Sequence, residues 1–149
     1  MSPPGLDPDT LAMAMRPILL RYPQIAAAWL FGSAGRGALR HDSDVDVGLL
    51  LRNKRDTGAD HYLMLGDLAA RLESATAPHP VDIVLLEPQG PIFCHEVLCD
   101  GRLLCEPGRE RRIQFESETV SRALDFRPTY ELALRGQAEG LRRRLRTTT

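Results

Sequence analysis

Phe31-Gly32-Ser33-Ala34-Gly35-Arg36-Gly37-Ala38-Leu39-Arg40-His41-Asp42-Ser43-Asp44-Val45-Asp46 is the stretch that decides how the rest of the chain folds. It opens at the end of a continuous apolar run, Ile25 to Phe31, whose length suits a buried strand. It closes on a second run, Asp44 to Leu51, in which Asp44 and Asp46 alternate with Val45, Val47 and Leu49. Alternate residues of a strand share a face, so the two carboxylates project together while the apolar residues point into a core. Between the runs lies a loop of small and basic residues, Gly32 to Ser43, with room for one short helical turn near Gly35–Leu39. Glycine lets main-chain N–H groups approach an anion closely, Ser33 adds a hydroxyl, and Arg36 adds a nearby cation.

Working outward, Asp7-Pro8-Asp9-Thr10 carries a capping residue and an early proline, the start of a helix. Leu11, Met15, Ile18 and Leu19 recur at helical spacing, and Tyr22-Pro23 marks the end. Residues 2–5 read as a frayed arm and 52–58 as a polar loop. His61 to Ala75 carries Leu65, Leu68, Ala69 and Leu72 at helical spacing, an amphipathic helix. Pro78-His79-Pro80 breaks the chain, and the β-branched run Val81 to Leu86 is a third strand. Ile92 to Leu98 is a short helix, and Leu103 to Glu106 a fourth strand. The charged segment from Gly108 onward, with Ile113, Val120, Leu124, Leu132, Leu134 and Leu141, predicts a long helix or two with a break at Arg127-Pro128. The expected fold is α/β (α+β): a small mixed sheet of about four strands flanked by helices. A core over 1–107 is expected, with 108–149 a helical extension of the same domain.

Asp82 is the third acid of interest. A carboxylate inside the short apolar strand Val81-Asp82-Ile83-Val84 is costly unless paired or metal-bound. If that strand neighbours the Asp44/Asp46 strand, three carboxylates converge. Hard oxygen ligands suit Mg²⁺, and such a trio can hold two ions that clamp the oxygens of a phosphoryl displacement. Taken singly, each feature also fits something plainer: an ordinary turn, exposed residues of a half-buried strand, or an acid at a strand end.

Composition narrows the classes. With 19 basic and 20 acidic residues among 149, the chain lacks the basic excess of a general nucleic-acid binder. The 5% aromatic content argues against a stacking platform for single strands. Direct DNA or RNA binding is therefore not expected. Cys94, Cys99 and Cys105 fit neither a disulfide framework nor a zinc site, even with His95 beside Cys94. Met1-Ser2-Pro3-Pro4-Gly5 has no signal-peptide character, and no apolar run approaches the roughly 20 residues that span a bilayer. A cytoplasmic, membrane-free setting is the expectation. The basic run Arg142-Arg143-Arg144-Leu145-Arg146 suits a solvated helix end or a contact to a partner.

Gly32-Ser33, ten intervening residues, then Asp44-Val45-Asp46 resembles the GS-x10-DxD signature of the DNA polymerase β-like nucleotidyltransferases. Arg36-Gly37 and Ser43 resemble the GSxARGxxxxxSDxD form of the small members, with Gly35 in place of the common alanine. The resemblance covers Ile25 to Glu106. His95-Glu96-Val97-Leu98-Cys99-Asp100-Gly101-Arg102-Leu103-Leu104-Cys105-Glu106 is similar to the ending of the minimal nucleotidyltransferases (MNT). Phe115 to Tyr130 is similar to the helical extension of MntA-type antitoxins, which pair with HEPN toxins. The resemblance implies catalytic, metal-holding Asp44, Asp46 and Asp82, and nucleotide contacts from Gly32, Ser33, Arg36 and Ser43. It implies two Mg²⁺ ions, ATP as substrate, and transfer of AMP to a tyrosine of a HEPN ribonuclease toxin in a heteromeric complex. A binding module that occludes its partner, a small-molecule nucleotidyltransferase of the aminoglycoside-modifying kind, and an RNA-tailing enzyme are the alternatives. Tailing is disfavoured by the neutral charge. His41, His95 and Tyr130 read better as loop, structural and packing residues than as parts of a site.

Overall fold

The computed structural model describes residues 7–37, 40, 42–53 and 59–147, by main chain alone at 59–60, 127–134 and 137–147. The elements are α1 (Pro8–Leu19), β1 (Ile25–Phe31), α2 (Gly32–Gly35), β2 (Val45–Leu51), α3 (Ala59–Thr76), β3 (Val81–Leu85), α4 (Pro91–Asp100), β4 (Arg102–Cys105) and α5 (Arg109–Thr147). The four strands form one sheet in the order β3-β2-β1-β4. β1 runs antiparallel to β2 and β4, whereas β2 and β3 are parallel. The mixed sheet and its flanking helices are the expected architecture.

The sequence pattern explains the layers. Asp7 accepts a hydrogen bond from the Thr10 N–H at 2.7 Å, and Pro8 occupies the first turn, so α1 starts where its capping chemistry says. Its buried stripe, Leu11, Met15 and Leu19, packs with Leu68 and Leu72 of α3 against Ile25, Ala28 and Leu30 of β1 and Val45, Val47 and Leu49 of β2. The opposite sheet face carries Trp29 and Leu50, covered by Cys94 and Val97 of α4 and by Phe115 of α5. Ala26 and Ala27 both lie in this second cluster because the β1–β2 register shifts between Ile25 and Ala27.

Two expectations need correction. The short helical turn falls at Gly32–Gly35, on the Gly-Ser motif itself, rather than near Gly35–Leu39. The apolar strand ends in extended geometry at Phe31, and the positive φ of Gly32 turns the chain at once into the helix. The break at Arg127-Pro128 is also absent, since α5 runs unbroken from Arg109 to Thr147. Proline removes one helical N–H donor without obliging the helix to stop, and α1 likewise contains Pro17.

α5 is anchored at its start. Phe115 stacks at 6.4 Å from Trp29 in a tilted pair. Arg111 pairs with Glu87 and donates to the Leu51 carbonyl at 3.3 Å. Arg112 pairs with Glu106 and Glu116. Ala123 is the last buried residue among the described side chains of this helix. The N-terminal part of the extension thus completes the core, while Ile113, Val120 and Leu124 stay exposed. The expected arm at 2–5, loop residues 38, 39 and 41, most of the polar loop (54–58), and the side chains of Tyr130 and the basic run at 142–146 lie outside the described residues.

Candidate active site

Three strand ends meet at one edge of the sheet. In the antiparallel ladder Phe31 stands opposite Asp46, and in the parallel ladder Asp46 stands beside Asp82. Partners in register on neighbouring strands share a face. Val45 and Val47 are fully buried in the first core, so Asp46 and Asp82 are turned to the other face of the sheet. Asp44, just before β2, and Asp82 are exposed, and Asp46 is half-buried. Burial pushes the Asp46 carboxyl above its ordinary value, and the charges of Asp82 and Asp44 push it further. Like charges perturb one another in this way only at short range. Among the described residues, no cation forms an ion pair with any of the three.

The Gly-Ser turn stands against this edge. Gly32 has φ +66°, and a Cβ placed there would lie 2.4 Å from Asp46 Oδ2. Only glycine combines that backbone with so close a carboxylate. Ser33 and Ala34 occupy the first positions of α2, where N–H groups lack helical acceptors. Arg36 follows in the exposed turn, beside Gly37 at φ +73°. A cleft of about 100 Å³ opens here between α2 and α4, lined by Phe31, Gly32, Arg36, Phe93, Glu96 and Asp100 among others. Phe31 and Phe93 form its aromatic wall, edge to face at 5.8 Å. Sequence reading missed Phe93 and Glu96, because only the packing of α4 beside α2 brings them there.

A hard divalent cation fits this donor set. The donors are carboxylate oxygens alone, their negative charge is uncompensated by described residues, and the main chain at Gly32 leaves room beside Asp46. The acids are neighbours rather than a closed cage, since among the described residues no three acid, imidazole or thiol groups form a ready-made metal cluster. Ser43 differs from the other expected contacts. Its hydroxyl accepts from the Arg40 N–H at 3.3 Å, which gives it a loop-building part. Away from the site, Cys94 and Cys105 are buried and Cys99 is exposed, all as free thiols. Burial raises Cys105 to about 11, which leaves it an unreactive thiol. Cys99 Sγ lies 3.5 Å from His95 Nε2 on α4.

A four-stranded mixed sheet, a glycine-serine turn opening a short helix and an acid pair in register on adjacent strands together define a phosphoryl-transfer scaffold of the nucleotidyltransferase type. The sequence profile described as Polymerase beta, Nucleotidyltransferase matches residues 14–110, and the chain belongs to that family. It is thereby a nucleotidyltransferase. A comparison with curated proteins returns no match. Among solved structures, a toxin-antitoxin with AMP-PNP superposes with a TM-score of 0.66 at 21% identity, over 85% of this chain and 98% of that one. The toxin-antitoxin MntA-HepT gives 0.63 at 18%, over 87% and 98%. A tri-AMPylated Shewanella oneidensis HEPN toxin in complex with MNT antitoxin gives 0.63 at 19%, over 88% and 98%. At such identities the likeness is one of fold.

Proposed function

We propose that this chain transfers AMP from ATP to a hydroxyl of a partner protein, and that the partner is a HEPN-type toxin which it neutralises. The observation that carries the reading is the in-register pair Asp46 and Asp82, with Asp44 adjacent, facing the Gly32-Ser33 turn. The relatives supply the partner class: one is a complex with an AMPylated HEPN toxin, and another holds AMP-PNP. A minimal core with one long helix must borrow surface to define its acceptor, and the exposed residues Ile113, Val120 and Leu124 of α5 offer it. No described helix is long and apolar enough to cross a membrane, and we propose a cytoplasmic setting for the reaction.

Asp44, Asp46 and Asp82 would hold Mg²⁺, two ions in our reading, and the metal would supply charge neutralisation to the phosphoryl transfer. Ser33, the N–H groups opening α2, and Arg36 bind the ATP phosphates. Asp82 stands on the strand farther from the turn, so it serves the acceptor side. There it orients the acceptor hydroxyl and takes its proton as the oxygen attacks the α-phosphorus. The bond from that phosphorus to the bridging oxygen breaks, and pyrophosphate leaves on the side of the Gly-Ser turn. Catalysis here is mainly positioning. Ser43 serves the site through its main chain beside Asp44.

The test incubates the chain with Mg²⁺, labelled ATP and the protein encoded beside it, next to an Asp44→Ala/Asp46→Ala double mutant. Label and AMP mass on a partner tyrosine, with the wild type only, are expected. A tight complex without transfer would instead support neutralisation by occlusion, the reading favoured by the exposed apolar residues of α5.

A further inference from the structure

Asp44 lies outside the β ladder, one residue before β2, yet it has to hold a fixed direction if it is to share a cation with Asp46. Its own side chain makes no contact that would fix it among the described residues. The peptide units on either side of it are both held from one place. The carbonyl of Ser43, in the peptide preceding Asp44, lies 3.0 Å from His79 Nδ1. The N–H of Val45, in the peptide following Asp44, donates to the Pro80 carbonyl at 2.8 Å. A carbonyl can only accept, so Nδ1 carries the proton of that bond.

His79 is itself held. Its ring is buried, 7% exposed, in the corner between α3 and β3. Its N–H donates to the Thr76 carbonyl at 3.0 Å, and its carbonyl accepts from Thr76 Oγ1 at 3.0 Å. Thr76 is fully buried. Two residues after His79, the Val81 N–H donates to Glu73 at 3.3 Å, fastening the start of β3 to α3. The His79 main chain is thus fixed, and its imidazole ends on the carbonyl of the peptide that precedes Asp44.

We infer that His79 is a positioning residue for the metal site: its Nδ1–H fixes the Ser43–Asp44 peptide and so directs the Asp44 carboxylate toward Asp46 and Asp82. The inference rests on the proposed part of Asp44 as a cation ligand. Groups that orient metal ligands without touching the metal commonly contribute about 10–100-fold to affinity. His79 belongs to the same corner that delivers Asp82, so one turn sets the direction of two of the three acids.

The experiment is titration of the metal-free full chain with Mn²⁺, followed by electron paramagnetic resonance, alongside the melting temperature of each metal-free variant. His79→Asn places an amide N–H as many bonds from Cα as Nδ1, whereas His79→Gln places it one bond too far. Mn²⁺ affinity within about threefold of wild type is expected for His79→Asn. A loss of about tenfold or more is expected for His79→Gln and His79→Leu, at melting temperatures close to that of His79→Asn. Equal affinities for the Asn and Gln variants, or a wild-type affinity for His79→Leu, would overturn the assignment. The Asn–Gln comparison stands by itself if the leucine variant does not fold. Asp44→Ala separates the two readings. If it abolishes Mn²⁺ binding while His79→Gln does not, only the positioning role falls. If it leaves binding intact, the ligand role of Asp44 and the positioning role of His79 fall together.

Discussion

Asp46 is the residue on which folding and chemistry pull in opposite directions. Its carboxyl is raised above 3.8 by burial first, then by Asp82 and Asp44, so the folded chain holds this proton more tightly than the unfolded one. Stability is therefore lost as pH rises from the ordinary carboxylate value through the raised one, and the loss persists at neutral pH. Asp46→Asn removes that cost. Without metal at pH 7 it is expected to melt higher than wild type, by roughly 1–3 °C for a partly solvated repulsion, with the gain vanishing below pH 4. The same variant is expected to lose transfer activity, so a pH series of melting curves beside a turnover assay checks both signs. Gly32→Ala acts the other way. Its Cβ would lie 2.4 Å from Asp46 Oδ2 on a backbone at φ +66°. A loss of about 1–2 kcal/mol from the backbone alone is expected. Displacement of the carboxylate adds a fall in kcat on the order of 10²-fold, which single-turnover kinetics would read.

The strands and α1 were legible because each carries its own signal: capping by Asp7, helical spacing of Leu11, Met15 and Leu19, and alternation at Asp44 to Leu49. The candidate site was legible only in part. Gly32, Ser33, Asp44 and Asp46 lie within one motif. The register of Asp82 beside Asp46 depends on which strands become neighbours, and no local pattern states that. His79 was hidden for the same reason, since its partner Ser43 lies 36 residues away. Phe93 and Glu96 reach the cleft through helix packing, which a sequence does not print. Phe115 and Ala123 of α5 are buried, so the start of the helical extension packs into the core. Phe115→Ala is expected to cost about 3–5 kcal/mol, measured by denaturant unfolding. Truncation after Phe126 is expected to keep the fold and the nucleotide site while weakening the partner complex. Truncation after Pro107 should unfold the chain, as circular dichroism would show.

Taken whole, the molecule leaves the proposed ATP site open at a sheet edge, with most of its charge supplied by the chain's own acids. Binding to the folded state alone stabilises it by mass action, about 2.7 kcal/mol when ligand stands 100-fold above its dissociation constant. MgATP is thus expected to raise the melting temperature by roughly 5–10 °C, and the Asp44→Ala/Asp46→Ala chain should show no such rise. The acids differ, however, in what holds their strands. β2, which carries Asp46, lies between two strands, whereas β3, which carries Asp82, has β2 as its one strand neighbour among the described residues. An edge strand opens locally at lower free energy than a central one. Amide protons of β3 should therefore exchange with deuterium faster than those of β1 and β2. A cation bridging Asp46 and Asp82 would link the fluctuating edge to the still centre. Protection along Val81–Leu85 would then rise on adding metal, making solvent exchange at this strand a gauge of whether the centre is assembled.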